Sequence, residues 1–222
     1  ILKLEKKNTW ALEFLLEIAE RERNWIKAAK LAKDIQKITQ QKDPEKLAQF
    51  QVYEGLDKGS KEDREGAKKC FERALEIDSN YGQAHRRLGD YYAEDRDLIN
   101  AINHWEQFAL MDPGNAGNIF SKIETALYDL GRYSEVEKFY KRMLEKNPGN
   151  IDTLAHMANV LEEKGEHQEA LDLVDSAMAE FDTSIQAHLM RLKLSLTTLP
   201  PHELSQQIDK IMELVTGKKE KI

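Results

Sequence analysis

The side chains best suited to catalysis or metal binding are few in this 222-residue sequence, and their spacing does not match a known site. The single cysteine, Cys70, excludes an internal disulfide and any multi-cysteine metal site within these residues. The six histidines do not pair on one helix face; they are His85, His104, His156, His167, His188 and His202. The sequence has no glycine-rich phosphate loop, no His-Glu-x-x-His and no Gly-x-Ser-x-Gly. It therefore predicts no catalytic site, no metal and no cofactor.

The composition is that of a helical protein with solvated outer faces. Charged residues make up 33% of the chain and hydrophobic residues 41%, and the mean hydropathy is −0.66. The net charge of −7 argues against a nucleic-acid surface, because such a surface needs clustered Lys and Arg. No segment approaches the ~18 consecutive apolar residues of a membrane-spanning helix. Cys70 stands beside Phe71 in a helical pattern, so we expect it to be a buried small hydrophobic residue.

A spaced set of apolar and small residues between positions 82 and 115 predicts a pair of packed helices. The set comprises Leu88, Gly89, Tyr92, Ala101, Trp105, Phe108 and Pro113. Leu88 and Tyr92 lie one turn apart on the first helix, and Gly89 allows the second helix to approach closely. Trp105 and Phe108 extend one face of the second helix, which Pro113 ends. This pattern resembles the tetratricopeptide repeat, a helix pair that buries its apolar faces by stacking on its neighbours.

Weaker copies of the pattern divide most of the chain into repeats. They span approximately 9–42, 48–81, 82–115, 117–150 and 151–184, with a partial copy at 185–197. Residues 198–222 are predicted to form a capping helix and a tail, and residues 1–8 the end of a preceding helix. The chain starts at Ile1 without Met, so we expect an upstream segment. The predicted fold is all-α: a right-handed α-α solenoid of about six helix pairs with a C-terminal capping helix.

The second repeat is the least regular one. Glu54 and Lys58 occupy positions where the pattern has apolar residues. The turn around residues 59–63 is predicted to be looser than the other turns, because it combines glycine with several polar residues.

The resemblance implies a concave surface lined by the first helix of each repeat, with positions near 2, 5, 9 and 12 pointing inward. Applied to this sequence, it predicts a polar groove of mixed charge for a protein or peptide partner. The predicted residues are Gln83, Arg86, Asp90, Asn118, Ser121, Thr125, Tyr128, Asp152, Asn159, Glu162, Gln186 and Lys193. The alternative is that these are ordinary solvated helix positions. The Lys/Asn pattern by which co-chaperone repeats hold a C-terminal carboxylate is not reproduced, so chaperone tails are disfavoured.

A narrower resemblance links the chain to the cytoplasmic part of the lipopolysaccharide assembly protein B family, from about residue 10 to 215. It is carried by Leu15-Leu16-Glu17-Ile18 followed by Trp25-Ile26-Lys27-Ala28-Ala29, by the irregular second repeat, and by Leu130-Gly131-Arg132 ahead of Glu137-Lys138-Phe139. The family implies a membrane anchor, a rubredoxin-like module with two Cys-x-x-Cys pairs, and an adaptor between the lipopolysaccharide-synthesis deacetylase and a membrane protease. This sequence has neither the anchor nor Cys-x-x-Cys. It is either the repeat region of such a protein or a relative without those parts.

The sequence thus predicts a non-catalytic scaffold or adaptor that binds a partner protein or peptide. The narrower prediction, which the resemblance implies, is a bacterial regulator of lipopolysaccharide synthesis that is cytoplasmic and tethered to the inner membrane through a segment absent from this chain. The alternatives are an RNA-binding helical repeat and an enzyme. An RNA-binding repeat needs a basic inner face, whereas the predicted row sets Arg86 and Lys193 against Asp90, Asp152 and Glu162.

Overall fold

The computed structural model describes residues 8–180, 184–196 and 198–219, and the regular elements in these ranges are helices. The predicted helix end at 1–8 lies almost wholly outside the described residues, as does the end of the tail. The chain divides into two compact units, with the boundary between Met111 and Asp112. No helix within the described ranges is long and apolar enough to span a lipid bilayer.

The first unit contains three antiparallel helix pairs. Its helices are α1 (Thr9–Arg21), α2 (Trp25–Thr39), α3 (Pro44–Gly59), α4 (Arg64–Ile77), α5 (Gly82–Glu94) and α6 (Leu98–Met111). Each helix packs on the next along the chain, and α3 also contacts α5. The second pair begins at Pro44 rather than at residue 48. The Asp43 carboxylate accepts the Lys46 N–H at 2.9 Å, and Pro44 is compatible with a first helical position.

The second unit opens with a 3₁₀ turn (Pro113–Asn115) and continues with helices of the same arrangement. They are α7 (Gly117–Asp129), α8 (Tyr133–Lys146), α9 (Ile151–Glu163), α10 (His167–Glu180), α11 (Ile185–Ser195) and α12 (Pro201–Lys219). Consecutive helices from α7 to α12 pack together, and α9 also contacts both α7 and α11. The all-α fold of successively packed helix pairs predicted from the sequence is therefore present in each unit, with α12 as the last helix.

The turns inside the five complete repeats share one geometry. Each contains a residue with positive φ: Arg23 (54°), Glu62 (65°), Arg96 (62°), Gly131 (68°) or Gly165 (79°). The N–H of the following residue donates to a carbonyl five residues earlier, as from Asp63 to Lys58 at 3.0 Å and from Asp97 to Tyr92 at 2.9 Å. The second turn closes with the same hydrogen bond as the others, although residues 60–63 separate its helices where each other turn has one residue fewer.

The third repeat packs as its sequence predicts. Leu88, Ala101 and Phe108 are buried, and Trp105 is 4% exposed. The Trp105 ring lies directly over Gly89, where a Cβ atom would be 2.3 Å from Trp105 Cδ1. Only glycine permits this contact, so Gly89 and Trp105 together set how closely α5 and α6 approach.

The irregular positions of the second repeat form a small polar cluster. Lys58 Nζ lies 2.9 Å from the Glu54 carboxylate and 3.4 Å from Sγ of Cys70, which is fully buried as expected. The pKa of Lys58 is raised, chiefly by its hydrogen bond with Glu54. Burial raises the pKa of the Cys70 thiol. Glu54 and Lys58 are tolerated at these positions because their ion pair compensates for the partial burial of both charges.

Candidate functional site

A groove between α9 and α11 brings four of the predicted binding residues together. Asp152 and Asn159 line it from α9, and Gln186 and Lys193 line it from α11. All four side chains are exposed. The groove has a volume of about 310 Å³. We call it the A-helix groove, because both of its walls are first helices of neighbouring repeats.

Matching helical spacing builds the two walls. Asp152, Ala155 and Asn159 follow one another at three- and four-residue steps, so they share one face of α9. Gln186, Leu189 and Lys193 repeat those steps on α11. Both helices start from side-chain caps: Asn150 accepts the Thr153 N–H at 2.8 Å, and Ser184 accepts the Ala187 N–H at 3.3 Å.

The centre of the A-helix groove combines a cation, an amide and an apolar side chain. Lys193 Nζ donates to Asn159 Oδ1 at 3.2 Å, which ties the two walls together. Leu189 is 48% exposed and lies beside this pair, and Asp152 adds a carboxylate at the start of α9. The Asn159 amide nitrogen keeps two N–H donors for a ligand. The arrangement suits hydrogen bonding and apolar contact with an extended chain.

The fourth-repeat candidates do not line this groove. Asn118, Ser121 and Thr125 are exposed on α7, and the Thr125 hydroxyl donates to the Ser121 carbonyl at 2.8 Å, as helical threonines commonly do. Tyr128 lies in a different groove, at the turn end of the helix pair, where its hydroxyl donates to Glu163 at 3.4 Å.

Two candidates make polar contacts with the second helices of their own repeats, Asp90 on α5 and Glu162 on α9. The Asp90 carboxylate accepts the Trp105 indole N–H at 3.2 Å, because a buried indole needs an acceptor. Glu162 Oε1 lies 2.7 Å from His167 Nδ1 in the turn between α9 and α10. Arg86 is half-buried, with its guanidinium 5.7 Å from the centre of the Phe108 ring. Gln83 is likewise half-buried on α5.

Two polar clusters were not predicted from the sequence, because the residues of each cluster come from different helices. His85 Nδ1 and His104 Nδ1 lie 2.9 Å apart between α5 and α6. Burial lowers the pKa of both rings; in His104 the neighbouring His85 adds to this effect, and its pKa is about 4. The pair could have been anticipated from their positions on consecutive helices of one hairpin. The two neutral rings share one hydrogen bond, with one donor and one acceptor nitrogen.

The second cluster is centred on Glu124. Its carboxylate accepts the Tyr140 hydroxyl at 2.5 Å and lies 3.1 Å from His156 Nδ1. Burial opposes the ionisation of Glu124, but the hydrogen bonds from His156 and Tyr140 outweigh it and lower the pKa. Burial, followed by Glu124, raises the pKa of Tyr140 far above its usual range. The cluster satisfies buried polar groups between α7, α8 and α9. Within the described ranges no group of three or more His, Cys, Asp or Glu residues could hold a metal ion.

Comparisons with known proteins agree with this architecture. A sequence model of the tetratricopeptide repeat matches residues 127–194. Cellulose synthase operon protein C of Pseudomonas fluorescens is 29% identical over 103 residues, which cover 45% of this chain and 8% of that protein. Lipopolysaccharide assembly protein B of Escherichia coli strain K12 is 21% identical over 178 residues, 80% of this chain and 44% of that protein. The chain spans less than half the length of these curated relatives.

Two solved structures illustrate the similarity in three dimensions. One is YrrB, described as a TPR protein with an unusual peptide-binding site; it is 18% identical, covers 75% of this chain and 86% of its own, and has a TM-score of 0.44. The other is MamA, which is 18% identical, covers 78% of this chain and 94% of its own, and has a TM-score of 0.49.

Proposed function

We propose that this chain, a tetratricopeptide-repeat protein whose repeats resemble those of lipopolysaccharide assembly protein B, is a non-catalytic scaffold that binds a partner protein or peptide in its A-helix groove. The observation that carries the proposal is the convergence of Asp152, Asn159, Gln186 and Lys193 on one groove from two helices. An extended peptide has free backbone N–H and C=O groups. A row of amide, carboxylate and ammonium side chains at helical spacing can satisfy them.

Apolar contact with Leu189 would add affinity to these hydrogen bonds. An exposed leucine side chain gains free energy when a ligand removes it from water. The Asp152 carboxylate favours a peptide over a nucleic acid, because a phosphate backbone would meet a negative charge at the start of α9.

The test begins with a peptide selected by display on the full chain, whose affinity is then measured by calorimetry. N159A and K193A should each weaken binding by about tenfold, the usual effect of losing one hydrogen bond to a charged or buried group. N103A and K138A are matched controls, since they change exposed residues of the same types on the second helices α6 and α8. Unchanged affinity in both N159A and K193A would overturn the assignment of this groove.

The narrower proposal is that the partner belongs to lipopolysaccharide synthesis at the bacterial inner membrane, with the chain acting as a cytoplasmic regulator tethered by a segment outside it. It is supported by the 21% identity to lipopolysaccharide assembly protein B over 80% of this chain. Interferometry between the full chain and the purified lipopolysaccharide-synthesis deacetylase tests it. Binding that K193A weakens supports this role. The absence of binding at micromolar concentrations rejects the role in lipopolysaccharide synthesis. The general scaffold proposal is tested separately, by the display experiment.

A further inference from the structure

A second groove in the same unit is lined by tyrosines and lies at the turn end of the helix pairs. We call it the tyrosine groove; it has a volume of about 530 Å³ and is lined by Tyr128, Tyr133, Ser134, Glu137, Val160, Glu163 and Lys164. The Tyr133 side chain is 66% exposed, and its ring stacks on that of Tyr128 with centroids 5.6 Å apart. Two tyrosine faces thus border a concave surface that solvent can reach.

The charge of the tyrosine groove is not balanced by the protein. Within the described part of the chain, the one hydrogen bond that Glu163 receives comes from the Tyr128 hydroxyl, at 3.4 Å. The nearby Lys164 ammonium is held at 2.7 Å by both Glu137 and Glu166. Glu163 therefore carries a negative charge beside an aromatic face without an opposite charge of its own.

The first unit has a groove at the equivalent place, lined in part by Gly59, Arg64, Tyr91 and Glu94. Here the protein supplies a cation itself. The Arg64 guanidinium carbon lies 4.6 Å from the centre of the Tyr91 ring. Its two terminal nitrogens pair with Glu94 at 3.1 Å and with Asp95 at 2.6 Å. The first groove thus contains an arginine stacked on a tyrosine and paired with a carboxylate.

The two grooves share two equivalent positions. Arg64 and Tyr133 are each the first residue of the second helix of a repeat, and Glu94 and Glu163 are each the last residue of the first helix of the following repeat. The second unit has therefore kept Glu94 as Glu163, while Arg64 is replaced by Tyr133, Tyr91 by Val160 and Asp95 by Lys164. An anion remains and Tyr133 adds an aromatic face, while the cation that Arg64 supplies to the first groove has no counterpart on Tyr133.

We propose that the tyrosine groove binds an arginine side chain of a partner protein, stacked on Tyr133 and paired with Glu163. A guanidinium fits better than an ammonium, because it stacks on an aromatic ring while donating two parallel N–H bonds to a carboxylate. The ligand would pair with Glu163 as Arg64 pairs with Glu94, but it would stack on Tyr133, which occupies the position of Arg64 itself. This site is separate from the A-helix groove and would give a partner a second contact on the same unit.

NMR titration of the full chain with the peptide acetyl-Gly-Arg-Gly-amide tests the proposal. We expect saturable shifts confined to the amides around 128–137 and 160–166, with weaker effects from the Lys peptide and none from the Gln peptide. E163Q should weaken binding by about tenfold, as expected for the loss of a charge-assisted pair. E145Q is the matched control, since Glu145 is an exposed glutamate on α8 away from the groove. Y133A should also weaken binding, because it removes the stacking face.

A second variant tests the correspondence between the grooves. R64Q removes the internal guanidinium, so the Arg peptide should then also shift amides around Tyr91 and Glu94, which it leaves unchanged in the natural sequence. Equal binding of the Arg and Gln peptides, or an unchanged affinity in E163Q, would overturn the proposal. K193A separates this site from the A-helix groove, since it should leave the Arg titration unaltered whatever its effect on the display-selected peptide.

Discussion

Replacing Gly89 with alanine should destabilise the first unit, although alanine favours a helix over glycine. The added Cβ would lie 2.3 Å from Cδ1, 2.5 Å from Nε1 and 2.9 Å from Cγ of Trp105. Ordinary carbon contacts are ~3.5–4 Å, so the indole has to retreat by more than ~1 Å. The ring is buried and donates to Asp90, so it has little freedom to do so.

The expected size follows from two opposing effects. Overpacking a buried ring and straining its hydrogen bond should cost about 3 kcal/mol. The higher helix propensity of alanine returns about 1 kcal/mol. The net loss in the free energy of unfolding is therefore about 2 kcal/mol. In a W105L background the clash disappears, and G89A should become stabilising by up to about 1 kcal/mol. The coupling between the two sites is then about 3 kcal/mol.

Urea unfolding monitored by tryptophan fluorescence measures these changes in the relevant unit, because Trp10, Trp25 and Trp105 all precede Met111. G59A is the matched control. Its Cβ would meet only Ala67 Cβ, at 3.8 Å, so it should be neutral or slightly stabilising. A neutral or stabilising G89A in the natural background, or a coupling below about 0.5 kcal/mol, would refute the close approach at Gly89.

Three further predictions follow from the burial and pKa values. W105A should lower the free energy of unfolding by about 3–5 kcal/mol; a loss below about 1 kcal/mol would contradict the packing of the third repeat. The pKa of His104 is about 4 in the folded chain and ordinarily 6.5, so the unfolded chain binds more protons between these values. Stability should therefore be complete above about pH 6.5 and fall towards pH 4 by up to about 3 kcal/mol, and H104F should flatten this slope in urea titrations at several pH values. Cys70 is buried with a raised pKa, so the native chain should react with a thiol-specific disulfide reagent at least about a hundredfold more slowly than the urea-unfolded chain.

The sequence predicted helix pairing well because the pairing depends on local patterns. The Gly89 and Trp105 positions defined the third repeat, and its packing is as expected. The start of the second pair was misplaced because the repeats were aligned by their second helices. The local signal was Asp43-Pro44, a capping residue followed by a proline suited to the first helical position.

The candidate site was only partly predictable, because helical spacing gives the face of a residue and not its partner. Spacing was sufficient to place Asn159 and Lys193 on facing sides of their helices, which lie side by side. It could not show that Asp90 is bound by an indole from the paired helix, or that Glu162 lies beside His167 across a turn. The exposed Leu189 was missed because the row was chosen for polarity, although it occupies an inward position.

The positive-φ position of the turns could be substituted to stabilise the first unit, but not the second. The positive-φ position is glycine in both complete repeats of the second unit, but Arg23, Glu62 and Arg96 in the first. A left-handed conformation costs a residue with a Cβ roughly 1–2 kcal/mol, and replacing that residue with glycine removes this cost. Part of the gain is offset, because the unfolded chain has more conformational freedom with glycine than with a larger residue. R96G should therefore raise the midpoint of urea unfolding by the equivalent of about 0.5–1 kcal/mol. An engineer seeking a more thermostable repeat array would begin with these three turns.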